Sequence, residues 1–263
     1  MSRKKYLVAI FYIASEAQGS EISLAIEGWK THFKEDHEIL VVGDMPPVHG
    51  VRWMYVERMK PKEGEYLPAI DICNKLLYVC QYCDQHMYNG FIWASDDFFA
   101  VNDFTIEDVM QPKYLEDELP SKGASNTNHF WRTQVKTRRL LEKKGYGVVN
   151  WTTHLPMRFD IDLLYWLIVD YDLTSNSYIV ENLYFNIYKP ETIPAKLRRD
   201  DRWKFEVCFT PLDMEGFRNA LANKIWVCCS VNGWSAELEQ KLKEHYENER
   251  QNTVAPRKGQ GEH

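Results

Sequence analysis

The sequence has few of the features that mark specialised protein classes. Its 263 residues include only six cysteines, 13 glycines and 11 prolines, and 27% of the residues are charged. Six cysteines are too few for a disulfide scaffold in a chain of this length, and the composition is not that of a collagen-like or disordered protein. We therefore expect an ordinary globular protein of a reducing compartment, with one large domain or two small ones.

The sequence has neither an excess of positive charge nor a long apolar run. Lysine and arginine number 32 against 38 acidic residues, so the broad basic footprint of a dedicated nucleic-acid-binding protein is missing. The apolar stretch over residues 6–14 is about half the length that crosses a bilayer, and no signal-peptide pattern accompanies it. We expect a cytoplasmic protein that has no transmembrane segment and no nucleic-acid partner.

Several catalytic motifs are absent. The sequence has no phosphate-binding P-loop, no Gly-x-Gly-x-x-Gly fingerprint and no Gly-x-Ser-x-Gly elbow, which argues against P-loop kinases, dinucleotide enzymes and serine hydrolases. Cys80 and Cys83 form a Cys-x-x-Cys pair, but they share the apolar face of a predicted helix with Cys73. We interpret all three as buried small hydrophobic residues and not as a zinc or redox site.

The first hundred residues alternate between apolar strands and amphipathic helices. Short apolar runs predict strands, and apolar residues at three- and four-residue spacing predict helices. The predicted strands cover residues 5–13, 38–42, 51–56, 91–94 and 98–101, and the predicted helices cover residues 21–33 and 68–83. This order indicates an α/β fold with a mixed, mainly parallel sheet flanked by helices, in which ligands bind at the carboxyl ends of the strands.

The pattern beyond residue 101 is weaker. Residues 102–128 are polar and predict a long loop, which we expect to be functional and to become ordered when a ligand binds. Helices are predicted over residues 133–144, 163–169, 177–188 and 236–250, and a last strand over residues 225–231. We expect one domain over residues 1–250, followed by a disordered tail over residues 251–263.

The strongest chemical signal is a pair of adjacent carboxylates between apolar segments, Trp-Ala-Ser-Asp-Asp-Phe-Phe at residues 93–99. An ionised carboxylate beside an apolar core is unfavourable unless it is paired, hydrogen-bonded or bound to a metal. Mg²⁺ and Mn²⁺ prefer oxygen ligands and are often held by one or two carboxylates together with substrate phosphates. Asp96 and Asp97 are therefore candidate ligands of such an ion, and the alternative is that they cap a turn and bind nothing.

This segment resembles the Asp-Asp (DXD-like) motif region of GT-A glycosyltransferases, in the form found in bacterial and phage capsule enzymes. More distantly it resembles the Stealth sugar-phosphate transferases. Further blocks resemble the family in the same order, at residues 23–25, 41–44, 74–75, 153–157 and 181–186. The resemblance implies a GT-A-like fold and the transfer of a sugar from a nucleotide-sugar donor, UDP-linked, to a glycan or other acceptor in polysaccharide biosynthesis.

The resemblance also implies roles at the metal and the donor. Asp96 and Asp97 would hold Mn²⁺ or Mg²⁺ against the donor diphosphate, with Ser95 beside them where the family has asparagine. His154, in a His-x-Pro motif, would complete the metal shell or orient the acceptor hydroxyl; it could equally be a surface or hydrogen-bonded histidine.

Three residues at two other blocks are candidates for donor binding, and each has a simpler alternative. Lys75, with Asn74 beside it, would pair with a phosphate, although a lysine on a helix is usually a solvated charge. Asp44 follows a strand and a glycine, where it would hold the ribose or the base; otherwise it closes a turn.

Two acidic residues are candidates for catalysis. Asp160 would supply the general base if the transfer inverts, and Glu181 would serve as base or acceptor ligand; both positions also suit the start of a helix. The leading hypothesis is a metal-dependent glycosyltransferase. The alternatives are a Stealth-like sugar-phosphate transferase and a non-catalytic module that binds sugar or nucleotide.

Overall fold

The apolar run near the N-terminus forms the central strand of a five-stranded sheet. The computed structural model describes residues 5–45, 50–59, 66–122, 128–188 and 193–254, with side chains as far as residue 251. The strands are β1 (Tyr6–Tyr12), β2 (His37–Gly43), β3 (Arg52–Tyr55), β4 (Gly90–Ser95), β5 (Phe98–Ala100), β6 (Lys113–Tyr114), β7 (Met157–Asp160), β8 (Ala195–Lys196), β9 (Lys204–Val207) and β10 (Trp226–Cys229).

The helices flank this sheet. They are α1 (Glu21–His32), α2 (Leu67–Gln85), α3 (Ile106–Met110), α4 (His129–Lys144), α5 (Ile161–Asp170), α6 (Val180–Tyr188), α7 (Met214–Asn223) and α8 (Ala236–Val254). Among the described helices, none is both long enough and apolar enough to cross a membrane. The elements predicted for the first hundred residues are all present, with small differences at their ends.

The main sheet has the order β3-β2-β1-β4-β7, and its first four strands are parallel. The chain moves outward from β1 through β2 to β3, and α2 then carries it back to β4 on the other side of β1. The strand order therefore reverses between β1 and β4, which is where open α/β sheets bind their ligands. This arrangement confirms the predicted mixed α/β fold with a mainly parallel sheet.

Strand β1 is buried on both faces because its side chains alternate between two cores. Leu7, Ala9 and Phe11 pack on the side of α2, α5 and α6, and Val8 and Ile10 pack on the side of α1. A strand covered on both faces needs apolar residues at every position, which accounts for the continuous run.

The Cys-x-x-Cys pair belongs to the first of these cores. Cys73, Cys80 and Cys83 are free and buried on α2, and burial raises the pKa of the Cys80 and Cys83 thiols to about 12. A thiol that stays protonated in an apolar core acts as a small hydrophobic group, as the helical spacing predicts.

The second half departs from the predictions in three places. The described part of the stretch 102–128, which leaves out residues 123–127, contains α3 and β6, and α3 begins with a capping box formed by Thr105 and Asp108. Residues 157–160, for which no element was predicted, form β7, because Met157 and Phe159 alternate inward against β4. Helix α7, capped by Asp213, was not predicted although Phe217, Ala220 and Leu221 have helical spacing. Strands β8 and β9 are too short for their periodicity to be recognised.

The C-terminal boundary also differs. Helix α8 continues through the predicted boundary at residue 250 as far as Val254, because nothing before the proline at position 256 interrupts a helix. The remainder of the predicted tail, residues 255–263, lies outside the described residues.

Candidate functional site

The carboxyl ends of β1 and β4 form the rim of a cavity of about 290 Å³. Phe11 of β1 pairs with Ser95 of β4, so the residues after Ser95 emerge at the point where the strand order reverses. The cavity is bounded by the loop after β1, the start of α2, the end of β4 and the loop after β10. Asp96 and Asp97 lie in its wall, as expected for the carboxyl end of a strand at this position.

Neither aspartate forms an ion pair with a described residue. Burial and mutual repulsion raise the pKa of Asp96 to about 7, and burial raises that of Asp97 to about 6, with Glu21 adding to both shifts. The Ser95 hydroxyl donates a hydrogen bond to Asp96 Oδ1 at 3.2 Å. Asp97 Oδ1 is buried and has no hydrogen-bond partner among the described residues. A buried carboxylate oxygen without a hydrogen-bond partner is a position where a bound ion or water would supply the missing contact.

The basic side chains in the same cavity are already paired. Lys75 lies 2.7 Å from Asp71 Oδ2, and the other oxygen of Asp71 accepts a hydrogen bond from the Met59 amide at 2.9 Å. Arg58 forms an ion pair with Glu16. Lys75, the predicted phosphate ligand, therefore lines the cavity, but its positive charge is already balanced by Asp71.

A second cavity, of about 180 Å³, adjoins the first. The two share Pro68, Ile72, Trp93, Ser95 and Asp97, so Asp97 stands between them. Most of the second cavity is apolar and aromatic. Its far side is lined by Glu181 and His154. Trp93 lies in the wall between the cavities, and its indole nitrogen is buried without a hydrogen-bond partner among the described residues.

The direction of β7 decides which of its neighbours reaches this site. Because β7 runs antiparallel to β4 and Met157 pairs with Trp93, its first residue lies at the site edge. His154 precedes β7 and is therefore carried into the site, in a left-handed backbone conformation with φ 51°. Loss of solvation and the ammonium of Lys204 lower the pKa of His154 below its ordinary value.

The antiparallel direction removes Asp160 from the site. Asp160 pairs with Gly90, the first residue of β4, and so lies roughly 17 Å along the strand from Ser95. Its carboxylate caps α5 by accepting hydrogen bonds from the amides of Asp162 at 3.1 Å and Leu163 at 3.3 Å. Asp160 therefore does not lie with Asp96 and Asp97, and it takes the position of its alternative, the start of a helix.

The predicted three-residue metal set is also not formed. Among the described residues, no group of three or more histidine, cysteine, aspartate or glutamate side chains is placed to hold a metal ion. His154 lines the same cavity as Asp97, but the charged groups that act on its ring are Lys204 and Glu206. This leaves Asp96 and Asp97 as the metal-ligand candidates.

The remaining donor-site candidates take structural positions. Asp44 accepts a hydrogen bond from the Ala14 amide at 2.9 Å and so closes the loop after β1, the turn-like alternative. Asn74 is half-buried on α2 and lines neither cavity at this edge.

Glu181 reaches the second cavity from the first turn of α6. Its side chain is 9% exposed, and burial raises its pKa to about 7. Asn182, the next residue of the same helix, positions the backbone that leads to His154. Asn182 accepts a hydrogen bond from the Trp151 amide at 2.6 Å and donates one to Thr152 Oγ1 at 3.0 Å, so it holds the segment that leads to His154.

Sequence reasoning missed Glu21, Asp71 and Trp93 as members of the site. Glu21 and Asp71 lie on helices whose charged positions look like ordinary solvated faces. A signal was available for Asp71, since it precedes Lys75 by one helical turn, the spacing of an ion pair. Trp93 was part of the motif itself, but an aromatic residue in a strand usually predicts core.

Comparison with known proteins places this chain in no family. No family model and no curated protein matches it. Among solved structures it is similar to the crystal structure of a glycosyltransferase involved in the glycosylation of the major capsid of PBCV-1. The identity is 10% and the TM-score 0.42, over 94% of this chain and 100% of that one. Similarity at this level assigns neither ancestry nor activity.

Proposed function

We propose that this protein is a metal-dependent glycosyltransferase that moves a sugar from a UDP-linked donor to a glycan or other acceptor. The observation that carries the proposal is the pair Asp96 and Asp97 at the carboxyl end of β4, with the orphaned Oδ1 of Asp97 between two joined cavities. A site at the reversal of strand order suits a nucleotide, and the second cavity provides room for the reacting sugar.

The donor set fits a hard divalent cation. Two adjacent carboxylates, with no basic partner left over in the cavity, supply oxygen ligands of the kind that Mg²⁺ and Mn²⁺ take, with diphosphate and water oxygens completing the shell. Asp96 and Asp97 hold the ion in this proposal, and Ser95 fixes the orientation of Asp96. When bound, the ion would neutralise charge on the donor diphosphate and so favour its departure as leaving group.

The second cavity supplies the groups that act on the acceptor. Glu181 takes the proton from the attacking hydroxyl, because a carboxylate with a pKa near 7 is matched to proton transfer at neutral pH. His154, at the mouth of the same cavity, orients that hydroxyl through a ring nitrogen. The aromatic and apolar walls exclude water, which limits hydrolysis of the donor.

The first test is thermal melting with a panel of nucleoside diphosphates, with and without Mn²⁺. At about a hundredfold Kd, a ligand that binds only the folded state adds about 2.7 kcal/mol to stability. We expect one diphosphate to stabilise the wild type only when Mn²⁺ is present, and Asp97→Asn to abolish that shift. The matched control is Asp160→Asn, which makes the same carboxylate-to-amide change at the other edge of the sheet and keeps the ligand-induced shift.

The outcomes separate the candidate functions. If no diphosphate shifts the melting temperature under any metal condition, the metal-diphosphate site is wrong. Once a donor is found, a nucleoside diphosphate as product indicates glycosyl transfer, and a monophosphate indicates sugar-phosphate transfer. Binding without turnover of any donor and acceptor indicates a non-catalytic module.

A further inference from the structure

A broad groove of about 1120 Å³ leads away from the second cavity. It shares Phe130, Thr152 and His154 with that cavity, so the two spaces are continuous. Its other side is formed by the loop between β8 and β9, which carries Arg198, Arg199 and Arg202, and we call it the arginine groove. A ligand that lies in the arginine groove can place one end beside His154, next to Glu181 and Asp97.

The loop is held in shape by buried polar contacts. Lys224 is 7% exposed, and its ammonium donates hydrogen bonds to the carbonyl oxygens of Arg199, at 2.8 Å, and of Asp201. The carboxylate of Asp201 accepts hydrogen bonds from the amides of Arg198 at 2.6 Å and Trp203 at 2.8 Å. Lys224 and Asp201 therefore hold the backbone of the loop that carries the arginines.

Most of the acidic side chains in the groove are occupied within the protein. Besides Asp201, Glu206 is paired with Lys204 at 2.5 Å, and Asp213 caps α7 through the Gly216 amide at 2.9 Å. Asp200 has no such contact with a described residue. The acidic groups that remain available therefore do not match the arginines in number.

Two of the arginines form no ion pair with a described residue. Arg198 and Arg199 are exposed, and their guanidinium groups have no acidic or hydrogen-bonding partner among the described residues. Arg202 has Asp108 at 3.5 Å. The groove is lined by five basic and four acidic side chains, so it carries a small positive charge on a chain of net charge -6. Guanidinium groups are suited to planar, two-point contact with carboxylate and phosphate oxygens.

We propose that the arginine groove binds an anionic acceptor, a glycan that carries carboxylate or phosphate groups, with its attacking end at His154. This rests on the proposed function, since it names the acceptor class of the same site. A nucleic acid fits less well, because a dense phosphate backbone needs many basic contacts and would also meet Asp200 and Glu206. The few fixed cations suit an anion that recurs only at intervals along a chain.

The test is direct binding, by calorimetry, to the full chain without donor or metal. The probes are a galacturonate hexamer, a phosphomannan oligosaccharide and a neutral maltose-series hexamer. We expect one or both anionic probes to bind and the neutral probe not to bind, and the responding probe tells carboxylate from phosphate. Arg198→Gln with Arg199→Gln should weaken that binding about tenfold, and added salt should weaken it further.

The matched control removes the same charge elsewhere. Arg139→Gln with Lys143→Gln changes two exposed basic residues of α4 outside the groove and should leave binding unchanged. Equal losses in the two double variants, equal binding of the neutral probe, or tighter binding of a single-stranded RNA oligomer would overturn the proposal. So would an absence of binding by both anionic probes.

The experiment separates this proposal from the proposed function. Asp97→Asn should lose the Mn²⁺-dependent nucleotide shift and keep anionic-glycan binding, whereas the Arg198 and Arg199 double variant should do the reverse. If nucleotides fail to bind while the anionic probe binds through the arginines, the transferase proposal is wrong, and the groove is a binding site for anionic glycans that are not acceptors. If nucleotides bind and the anionic probes do not, only the groove proposal is wrong.

Discussion

The ammonium of Lys75 lies 2.7 Å from Asp71 Oδ2, one helical turn away, and the two side chains are only 3% and 2% exposed. This buried ion pair forms the wall of the first cavity beside Asp96 and Asp97. It also ties α2 to the segment before it, because Asp71 holds the Met59 amide. The pair is thus a structural support for the site and not a reserve of free positive charge.

The pair predicts an asymmetric response to mutation. Lys75→Met leaves the Asp71 carboxylate buried and unpaired, so we expect the free energy of unfolding to fall by about 3 kcal/mol. The double change Lys75→Met with Asp71→Leu removes both charges and should recover part of that loss. Urea denaturation of the three proteins measures this. A loss in Lys75→Met smaller than that of an exposed lysine variant would contradict the buried pair.

Glu181 predicts a pH dependence of stability. Burial raises its pKa from 4.5 to about 7, so the folded state binds a proton that the unfolded state has released between these values. This contribution is fully present below about pH 4.5 and is lost as the pH rises through 7, at a total of roughly 3 kcal/mol. We expect Glu181→Gln to be less sensitive to pH than the wild type over this range.

The measurement is a series of urea titrations from pH 5 to pH 8 (about the range over which the group titrates), comparing Glu181→Gln with wild type. Subtracting the two curves removes every other titrating group that the variant does not disturb. A difference curve that is flat over this range would show that Glu181 has an ordinary pKa. In that case its assignment as general base would lose its electrostatic support.

The carboxylate pair predicts that the metal-free protein is destabilised by its own site. Asp96 and Asp97 repel each other in a partly buried place, so Asp97→Asn should stabilise the metal-free protein at pH 8 by roughly 1–2 kcal/mol. The same change should abolish stabilisation by Mn²⁺ with nucleotide. Thermal melting in chelator measures the first effect. A lower melting temperature for Asp97→Asn in chelator would indicate that Asp97 has a structural partner instead.

A structural feature could be predicted from the sequence when residues close together in the chain determine it, and not when a distant strand pairing does. The burial of β1 on both faces and the helical face of α2 follow from periodicity within one element, and both were predictable. The position of Asp96 and Asp97 at the site edge follows from the order of a few neighbouring elements. The fates of Asp160 and His154 depend on the antiparallel direction of β7, a four-residue strand that pairs with β4 from far along the chain. No pattern within residues 157–160 predicts that β7 runs antiparallel to β4.

A variant of Asp160 tests whether the antiparallel direction of β7 places this residue away from the site. Its carboxylate caps α5, so Asp160→Ala should lower the free energy of unfolding by about 1 kcal/mol, the usual effect of losing a helix cap. Because Asp160 lies at the far edge of the sheet, the same variant should keep its nucleotide binding and, once a donor and acceptor are known, its kcat. Asp160→Ser, which retains a capping oxygen, should recover stability. A fall in kcat that exceeds the fraction unfolded, with nucleotide binding intact, would return Asp160 to the list of catalytic candidates and place the antiparallel pairing of β7 in question.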